Sequence, residues 1–540
     1  MKSKYIFFAV SLFAALSANA QETYENAKLA GEDLNGTARY VGMGGAMEAL
    51  GADISTIGSN PAGIGLFRHS NVSLSAGLLM QSDVKEFSNG KKTNLSFDQI
   101  GGVYTTRTGQ KSFLNFGFNY HKSKNFDYIL NAAGSLNGSS QNKQSYIKGM
   151  LGDQKVGGFN VGKNKDGQNI GYVDAKSSDV AYTWSQIDYL YWNSLIPGSN
   201  GLYNYEKATG YTLDRAHTGY IGNYDFAVSG NLNDRVYLGL TFGMKDVNYK
   251  GYSEYRENLN NAGGVLVRDE RKVTGSGFDI TAGVIVRPVA ESPFRIGAYV
   301  KSPTWYDLTT SNVTRLVYVS GTSSQEKGVP NSPNSYDFKM WTPWKFGFSL
   351  GHTIGNNIAL GATYEYENYA NINSRVNNGG YYDYYYDQYY ESSIPDKNMN
   401  AHTKEVLKGV STLKLGVEYK PVSNVALRAG YNYVSAMYVN NAQKDPGLAS
   451  LGTSYSSTTD YTNWGEINRF TLGVGYQVKK FNIDLAYQYS AQKGSFAPFS
   501  NVRDISIPSG ATIVSESNIA SNTDVKNNRS QLLLTLGYRF

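Results

Sequence analysis

Arg469-Phe-Thr-Leu-Gly-Val-Gly-Tyr-Gln-Val478, two lysines, and Phe481-Asn-Ile-Asp-Leu-Ala-Tyr-Gln-Tyr489 decide the fold. Phe470, Leu472, Val474, Tyr476 and Val478 fall on one side of an extended chain; Arg469, Thr471, Gly473, Gly475 and Gln477 fall on the other. The second run sets Phe481, Ile483, Leu485, Tyr487 and Tyr489 against Asn482, Asp484, Ala486 and Gln488. Side chains alternate across a strand, so each run makes a sheet with one apolar and one wet face. Only Lys479 and Lys480 separate the two, which folds them into a hairpin. The chain ends in the same way, with Leu532, Leu534, Leu536, Tyr538 and Phe540 facing together.

Worked outward from there, the pattern recurs in fourteen segments: 70–80, 93–107, 112–122, 220–230, 235–250, 272–288, 294–309, 335–352, 357–370, 407–420, 425–437, 465–478, 481–492 and 529–540. The connections at 108–111, 231–234, 289–293, 353–356, 421–424 and 479–480 are short and turn-like. Those at 81–92, 123–219, 251–271, 310–334, 371–406, 438–464 and 493–528 are long. Strict alternation of short and long connections, with an even strand number, is the plan of a bacterial outer-membrane barrel. Lipid forbids an open sheet edge, so the strands must close on themselves. The expectation is an all-β, 14-stranded antiparallel transmembrane barrel over 70–540, its apolar faces toward lipid and its polar faces lining the lumen. A chain ending in the periplasm then puts every long connection outside the cell.

Composition bounds the alternatives. The 540 residues are 41% hydrophobic and 17% charged, with 58 Gly, 44 Tyr and no Cys. Mean hydropathy is −0.41. No apolar run after the N-terminus approaches the ~18–20 residues a membrane-crossing helix needs. Without thiols there is no disulfide scaffold, zinc-thiolate site or cysteine nucleophile. Met1 to Ala20 reads as a cleaved export signal, with Lys2 and Lys4 before an apolar core and Ala18-Asn19-Ala20 at its end. Its loss lowers the formal charge from +6 to +4, weak for a nucleic-acid binder.

Residues 21–69 do not alternate. Leu50, Ile54, Ile57, Ile64, Leu66 and Phe67 need cover, and a barrel of fourteen strands is too wide for wall side chains to fill. This stretch is therefore expected to plug the lumen, with a short helix at Ala46–Leu50. Here the sequence resembles a family. Ala38-Arg-Tyr-Val-Gly-Met-Gly-Gly-Ala-Met-Glu-Ala49, Ala52-Asp53 and Asn60-Pro61-Ala62-Gly63 look like the N-terminal hatch of the FadL/TodX outer-membrane transporters. Arg295-Ile-Gly-Ala-Tyr-Val-Lys-Ser-Pro303, Thr342-Pro-Trp-Lys-Phe-Gly347 and Leu427-Arg-Ala-Gly-Tyr-Asn-Tyr433 add to the likeness. The resemblance implies passive uptake of hydrophobic compounds such as fatty acids or aromatic hydrocarbons, by a monomer embedded among outer-membrane lipid and lipopolysaccharide. It implies a hatch that moves on ligand binding, carried here by Gly42, Gly44, Gly45, Asn60, Pro61 and Ala62. It also implies lateral exit where a kink breaks the third strand's pairing, and Gly117, the one glycine of segment 112–122, is the candidate.

Three further features bear on ligand. Tyr381-Tyr-Asp-Tyr-Tyr-Tyr-Asp-Gln-Tyr-Tyr390 is a Tyr-rich loop tip, with Tyr384, Tyr385 and Tyr386 as candidate capture residues. Arg295, Arg428 and Arg469 fall on the lumen face with Lys301, Lys345 and Lys414, and are candidates to hold a ligand carboxylate, while most of these cations should balance lumen acids such as Asp279, Glu365, Glu367, Glu418 and Asp484. Ala181-Tyr-Thr-Trp-Ser-Gln-Ile-Asp-Tyr-Leu-Tyr-Trp192 has helical spacing within the longest connection and departs from the family. Gly347-Phe-Ser-Leu-Gly351 matches a hydrolase elbow but lies inside a strand, where that motif has no function. The five histidines show no ligand spacing, so no metal, haem or other cofactor and no catalytic residue is expected. The alternative function is a surface binding or adhesion barrel, or a haem or other small-ligand receptor, working through the long loops.

Overall fold

The computed structural model describes residues 22–540 apart from 89, 152–157, 174–183, 200, 262, 446, 449, 451–452, 454 and 510–511. The export signal expected at 1–20 and the first residues of the 181–192 stretch lie outside the described residues.

Fourteen antiparallel strands close into one barrel. They are β1 (Asn71–Gln81), β2 (Thr93–Arg107), β3 (Phe113–Asn125, continued by Tyr128–Ser135), β4 (Ala208–Leu232), β5 (Val236–Leu259), β6 (Gly263–Val286) and β7 (Arg295–Lys301 and Trp305–Ser320). There follow β8 (Asn334–Trp341 and Lys345–Ile354), β9 (Ile358–Asn368), β10 (Gly409–Val422), β11 (Val425–Val434), β12 (Tyr461–Val478), β13 (Phe481–Ala497) and β14 (Thr523–Lys526 and Arg529–Arg539). Each strand pairs with the next, and β14 returns to β1 from Arg529↔Gln81 to Arg539↔Asn71, which closes the ring. The outer face is an apolar belt: Phe226, Phe242, Phe348, Phe470, Leu472 and Leu534 point away from the barrel and stay exposed. A belt of that extent is unstable in water and is what hydrocarbon demands.

The strands overrun their expected ends on the long-loop side. β5 and β6 continue to Leu259 and from Gly263, so the loop expected over 251–271 is a β-ribbon with a tight tip. The expected 123–219 loop likewise loses both ends to β3 and β4, whose Tyr128↔His217 to Ser135↔Gly210 pairing extends the wall. At 24 or 25 residues, β4 to β6 are more than twice the ~9–11 that cross a bilayer. Their far ends form a rim, roofed by α3 (Gln141–Leu151) and α4 (Gln186–Ser194). Helix α4 falls in the stretch whose spacing suggested one; Ser185 and Asp188 close a capping box at its start.

Residues 22–69 run inside the ring. Helix α1 (Thr23–Ala30) stands in the rim half, where Tyr24, Ala27 and Leu29 pack among Phe126, Tyr249, Tyr306, Phe338 and Tyr438. Helix α2 (Ala38–Gly42) and two 3-10 turns, Ile54–Gly58 and Pro61–Leu66, lie lower. The short helix expected at Ala46–Leu50 is absent, and the helix sits earlier, at α2. Gly44 (φ 64°) and Gly45 (φ 80°) take the left-handed conformation and end α2, and Gly51 (φ 61°) does so again. A fifth helix, α5 (Lys397–Val406), follows the Tyr-rich hairpin Asn373–Asp383/Gln388–Pro395.

Candidate functional site

The site is the contact between the N-terminal segment and the wall. Wall glycines let the two backbones touch. A Cβ on Gly416 would stand 2.3 Å from the Met43 carbonyl oxygen, one on Gly361 1.9 Å from that of Ala46, and one on Gly239 2.3 Å from the Pro61 carbonyl carbon. Gly42 meets Gly473, and Gly44 meets Gly430, so two of the three expected hatch glycines are seated on wall glycines, while Gly45 packs against Leu34, Tyr40 and Lys414. Asn60 is fully buried, accepts from the Ala62 amide (3.2 Å) and donates to the Val284 carbonyl (3.4 Å). With Pro61 at the first position of the 3-10 turn, this fixes the Asn60-Pro61-Ala62 motif to the β5–β7 wall.

Charge fixes the rest. Glu48, wholly buried, accepts from Lys414 (2.9 Å), Thr363 (2.7 Å) and Tyr40 (3.0 Å). Arg39 pairs with Glu418 (3.1 Å), which Arg428 also holds (2.7 Å) while reaching Asp484 (2.6 Å). Arg428 is therefore a committed structural cation. Arg295 contacts the Leu50 carbonyl (3.4 Å) and is in no described ion pair. Arg469 keeps one acidic partner, Asp33, at 3.6 Å.

Two adjacent carboxylates, Glu32 and Asp33, gather cations from six strands. Glu32 meets Lys245 of β5 (3.5 Å), Lys301 of β7 (3.1 Å) and Lys345 of β8 (2.6 Å). Asp33 meets Lys124 of β3 (3.5 Å), Arg469 of β12 (3.6 Å) and Arg529 of β14 (3.6 Å), and accepts from the Asn125 amide (3.1 Å). Burial opposes ionisation of Asp33, but the three surrounding cations prevail and hold its carboxyl well below the usual range. A cavity of about 110 Å³ opens beside both acids, lined also by Asn35, Lys301, Lys345 and Arg469. Charged side chains supply much of its lining. The apolar interior is the ring of aromatics around α1.

Between β2 and β3 the pairing stops while both strands run on. β2 and β3 pair from Arg107↔Phe113 up to Gln99↔His121 and no further, though β2 continues to Thr93 beside β1. Two bulges frame the break: Asp98 drops out of register between Ser75↔Gln99 and Ala76↔Phe97, and Ser123 between Lys122↔Gly222 and Lys124↔Ile221. Leu95, 82% exposed, and Phe97 still face outward beside the gap. Backbone and side-chain groups of the N-terminal segment close it. The Asp33 amide donates to the Ser123 carbonyl (2.7 Å); Asn35 Nδ2 donates to the Lys122 carbonyl (3.1 Å) and to Asp98 Oδ1 (2.9 Å). Lys122 Nζ spans the gap to Ser96 Oγ (3.0 Å).

Gly117 is not the kink. It is paired on both sides, to Val103 and Ala227, and a Cβ there would meet Ile57 (2.8 Å) and Ile64 (3.0 Å). It makes room for the N-terminal segment. Tyr384, Tyr385 and Tyr386 stand at the hairpin tip, the first two nearly fully exposed, far in sequence and contact from the lumen groups. Sequence reasoning missed Glu32, Asp33, Asn35, Asp98 and Ser123; the adjacent acids in a segment of small residues were the one available signal.

No known family profile and no curated protein matches the chain. Among solved structures it is similar to a Pseudomonas aeruginosa FadL homologue, at 12% identity over 95% of this chain and 100% of that one, TM-score 0.48. It is also similar to CymD, a monoaromatic hydrocarbon channel (11% identity, 94% and 98%, TM-score 0.45), and to the Ralstonia pickettii toluene transporter TbuX (12%, 94% and 99%, TM-score 0.44).

Proposed function

We propose that the protein is an outer-membrane channel for passive uptake of hydrophobic compounds, long-chain fatty acids among them. The observation that carries this is the sealed gap between β2 and β3. A pore for water-soluble solutes needs an open lumen and an unbroken wall. This barrel has a lumen filled by its own N-terminal segment and a wall interrupted beside the outward-facing Leu95 and Phe97. An apolar solute entering at the rim meets the aromatic ring around α1, and leaves sideways through the gap into hydrocarbon once residues 33–35 move. Lateral exit spares it the charged lower lumen. The expected site of exit therefore shifts from Gly117 to the Asp98/Ser123 break. The exposed tyrosines at 384–386 serve as a first contact for ligand, offering apolar area with a hydroxyl handle.

The test is uptake of radiolabelled oleate and toluene by cells with and without the protein. Expected is faster entry of at least one, with sugar permeability unchanged. Equal entry of both would remove the reading. The exposed Tyr hairpin favours adhesion as the second reading, and deleting 376–394 while uptake stays intact would separate the two.

A further inference from the structure

We propose that Lys124, Arg469, Arg529 and the Asn125 amide form a recognition cradle for the anionic headgroup of an apolar-tailed ligand, that Asp33 is its built-in occupant, and that exchange of one for the other opens the β2–β3 gap. The inference rests on the uptake reading above and adds how a ligand would release the seal.

The cradle differs from every other charged cluster of the lumen. Lys414 holds Glu48 and Glu365, Arg428 holds Glu418 and Asp484, and Lys345 holds Glu32 and Glu367. Lys245 and Lys301 share Asp279 besides Glu32. Among the described ion pairs, Lys124, Arg469 and Arg529 have Asp33 alone. Three cations around one carboxylate are an anion site with charge to spare. The carboxylate that fills it belongs to the segment that must move.

The stereochemistry is that of a free carboxylate. Asp33 Oδ1 faces Lys124 and Arg469, while Oδ2 faces Arg529 and the Asn125 amide. The Ser123 bulge is what turns Lys124 and the Asn125 amide toward it, because it shifts the chain by one residue past Lys122. The adjoining cavity reaches Asp33 and Arg469, so a headgroup can approach from the lumen. A neutral headgroup cannot replace Asp33 there, since it would leave three cations buried without a counter-charge.

Coupling to the gap is a matter of chain length. Asn35 lies two residues from Asp33, within ~7 Å along even a fully extended chain. The Asp33 amide itself holds the Ser123 carbonyl at the gap edge. A carboxylate that takes the cradle therefore lifts Asp33 and Asn35 together, freeing the Lys122 carbonyl and Asp98.

The chain has no cysteine, so Ser96→Cys, at the gap, is a clean reporter whose maleimide labelling rate reads opening. The full-length protein in nonionic detergent is exposed to dodecanoate or dodecan-1-ol. Expected is labelling about tenfold faster with dodecanoate and unchanged with dodecanol, and loss of that acceleration in Lys124→Gln/Arg469→Gln. Asp33→Asn removes the competitor, so dodecanoate binding should tighten about tenfold and basal labelling rise. Equal labelling with the two probes, or weaker dodecanoate binding by Asp33→Asn, would overturn the proposal. Should Asp33→Asn lose heat-modifiable gel migration, the Ser96→Cys comparison decides alone. Proteoliposomes separate the two levels: if both probes cross with no change in labelling, the exchange fails and uptake stands; if neither crosses, uptake fails too.

Discussion

Gly361 of β9 gives the sharpest handle on how the N-terminal segment is seated. A Cβ at that position would lie 1.9 Å from the Ala46 carbonyl oxygen, against a normal carbon–oxygen contact of about 3.3–3.6 Å. The two backbones must then part by about 1.5 Å. The strand itself accepts alanine, because Gly361 is extended and regularly paired with Gly351 and Gly416. The penalty therefore falls on the seat of residues 43–50. Overpacking of this kind costs about 1–3 kcal/mol, which raises the unseated population about 5- to 150-fold. Liposome swelling in a small sugar reads the leak, and heat-modifiable gel migration reads barrel integrity. Gly230→Ala is the control, since a Cβ there meets nothing within 4 Å. Expected is a leak in Gly361→Ala, native behaviour in Gly230→Ala, and normal migration in both. A Gly361→Ala protein as tight as the native one would refute the close seating of Ala46 on β9.

Arg428→Ala should strip Glu418 and Asp484 of their shared partner and destabilise the barrel by roughly 3–5 kcal/mol, read as a lower temperature of gel migration change; an effect on uptake alone would make it a ligand cation instead. Asn60→Ala removes a cap worth about 0.5–2 kcal/mol and should alter uptake with the barrel intact, as checked by uptake and migration together. Tyr384→Ser/Tyr385→Ser/Tyr386→Ser should leave stability unchanged and slow uptake only at low ligand concentration. Burial pushes Glu257, which accepts from the Gln141 amide and Tyr255 at the rim, up to about 7. Its folded form keeps a proton the unfolded chain has lost, so the roof is firmest below pH 4.5 and loosens by about 3 kcal/mol as pH rises to 7. Hydrogen exchange in α3 should follow that curve, and Glu257→Gln should flatten it.

The ring of strands was legible because lipid and lumen impose a two-residue period, and because turn and loop lengths alternate. The rim was not. Gly251-Tyr-Ser-Glu-Tyr-Arg-Glu257 carries polar residues on both faces, and above the bilayer no lipid enforces alternation. Alternation also placed Arg428 and Lys414 correctly on the lumen face with Glu365, Glu418 and Asp484 as acids to balance, yet could not show Glu48, which Lys414 meets across 366 residues of chain. Gly117 was legible as a glycine that needed a reason, but the reason lies in Ile57 and Ile64 of another segment. The gap at Asp98 and Ser123 had no signal, since a bulge costs one residue of register and leaves the composition of a strand unchanged.

Lateral passage at that gap is most directly tested by stitching it. Ser96→Cys/Lys122→Cys in this cysteine-free chain can be bridged with a bis-maleimide across β2 and β3, and uptake of labelled oleate and toluene compared before and after bridging. The expected result is uptake that falls to the level of cells lacking the protein when bridged, while a singly labelled Lys122→Cys control retains it. Undiminished uptake through the bridged wall would contradict lateral exit between β2 and β3.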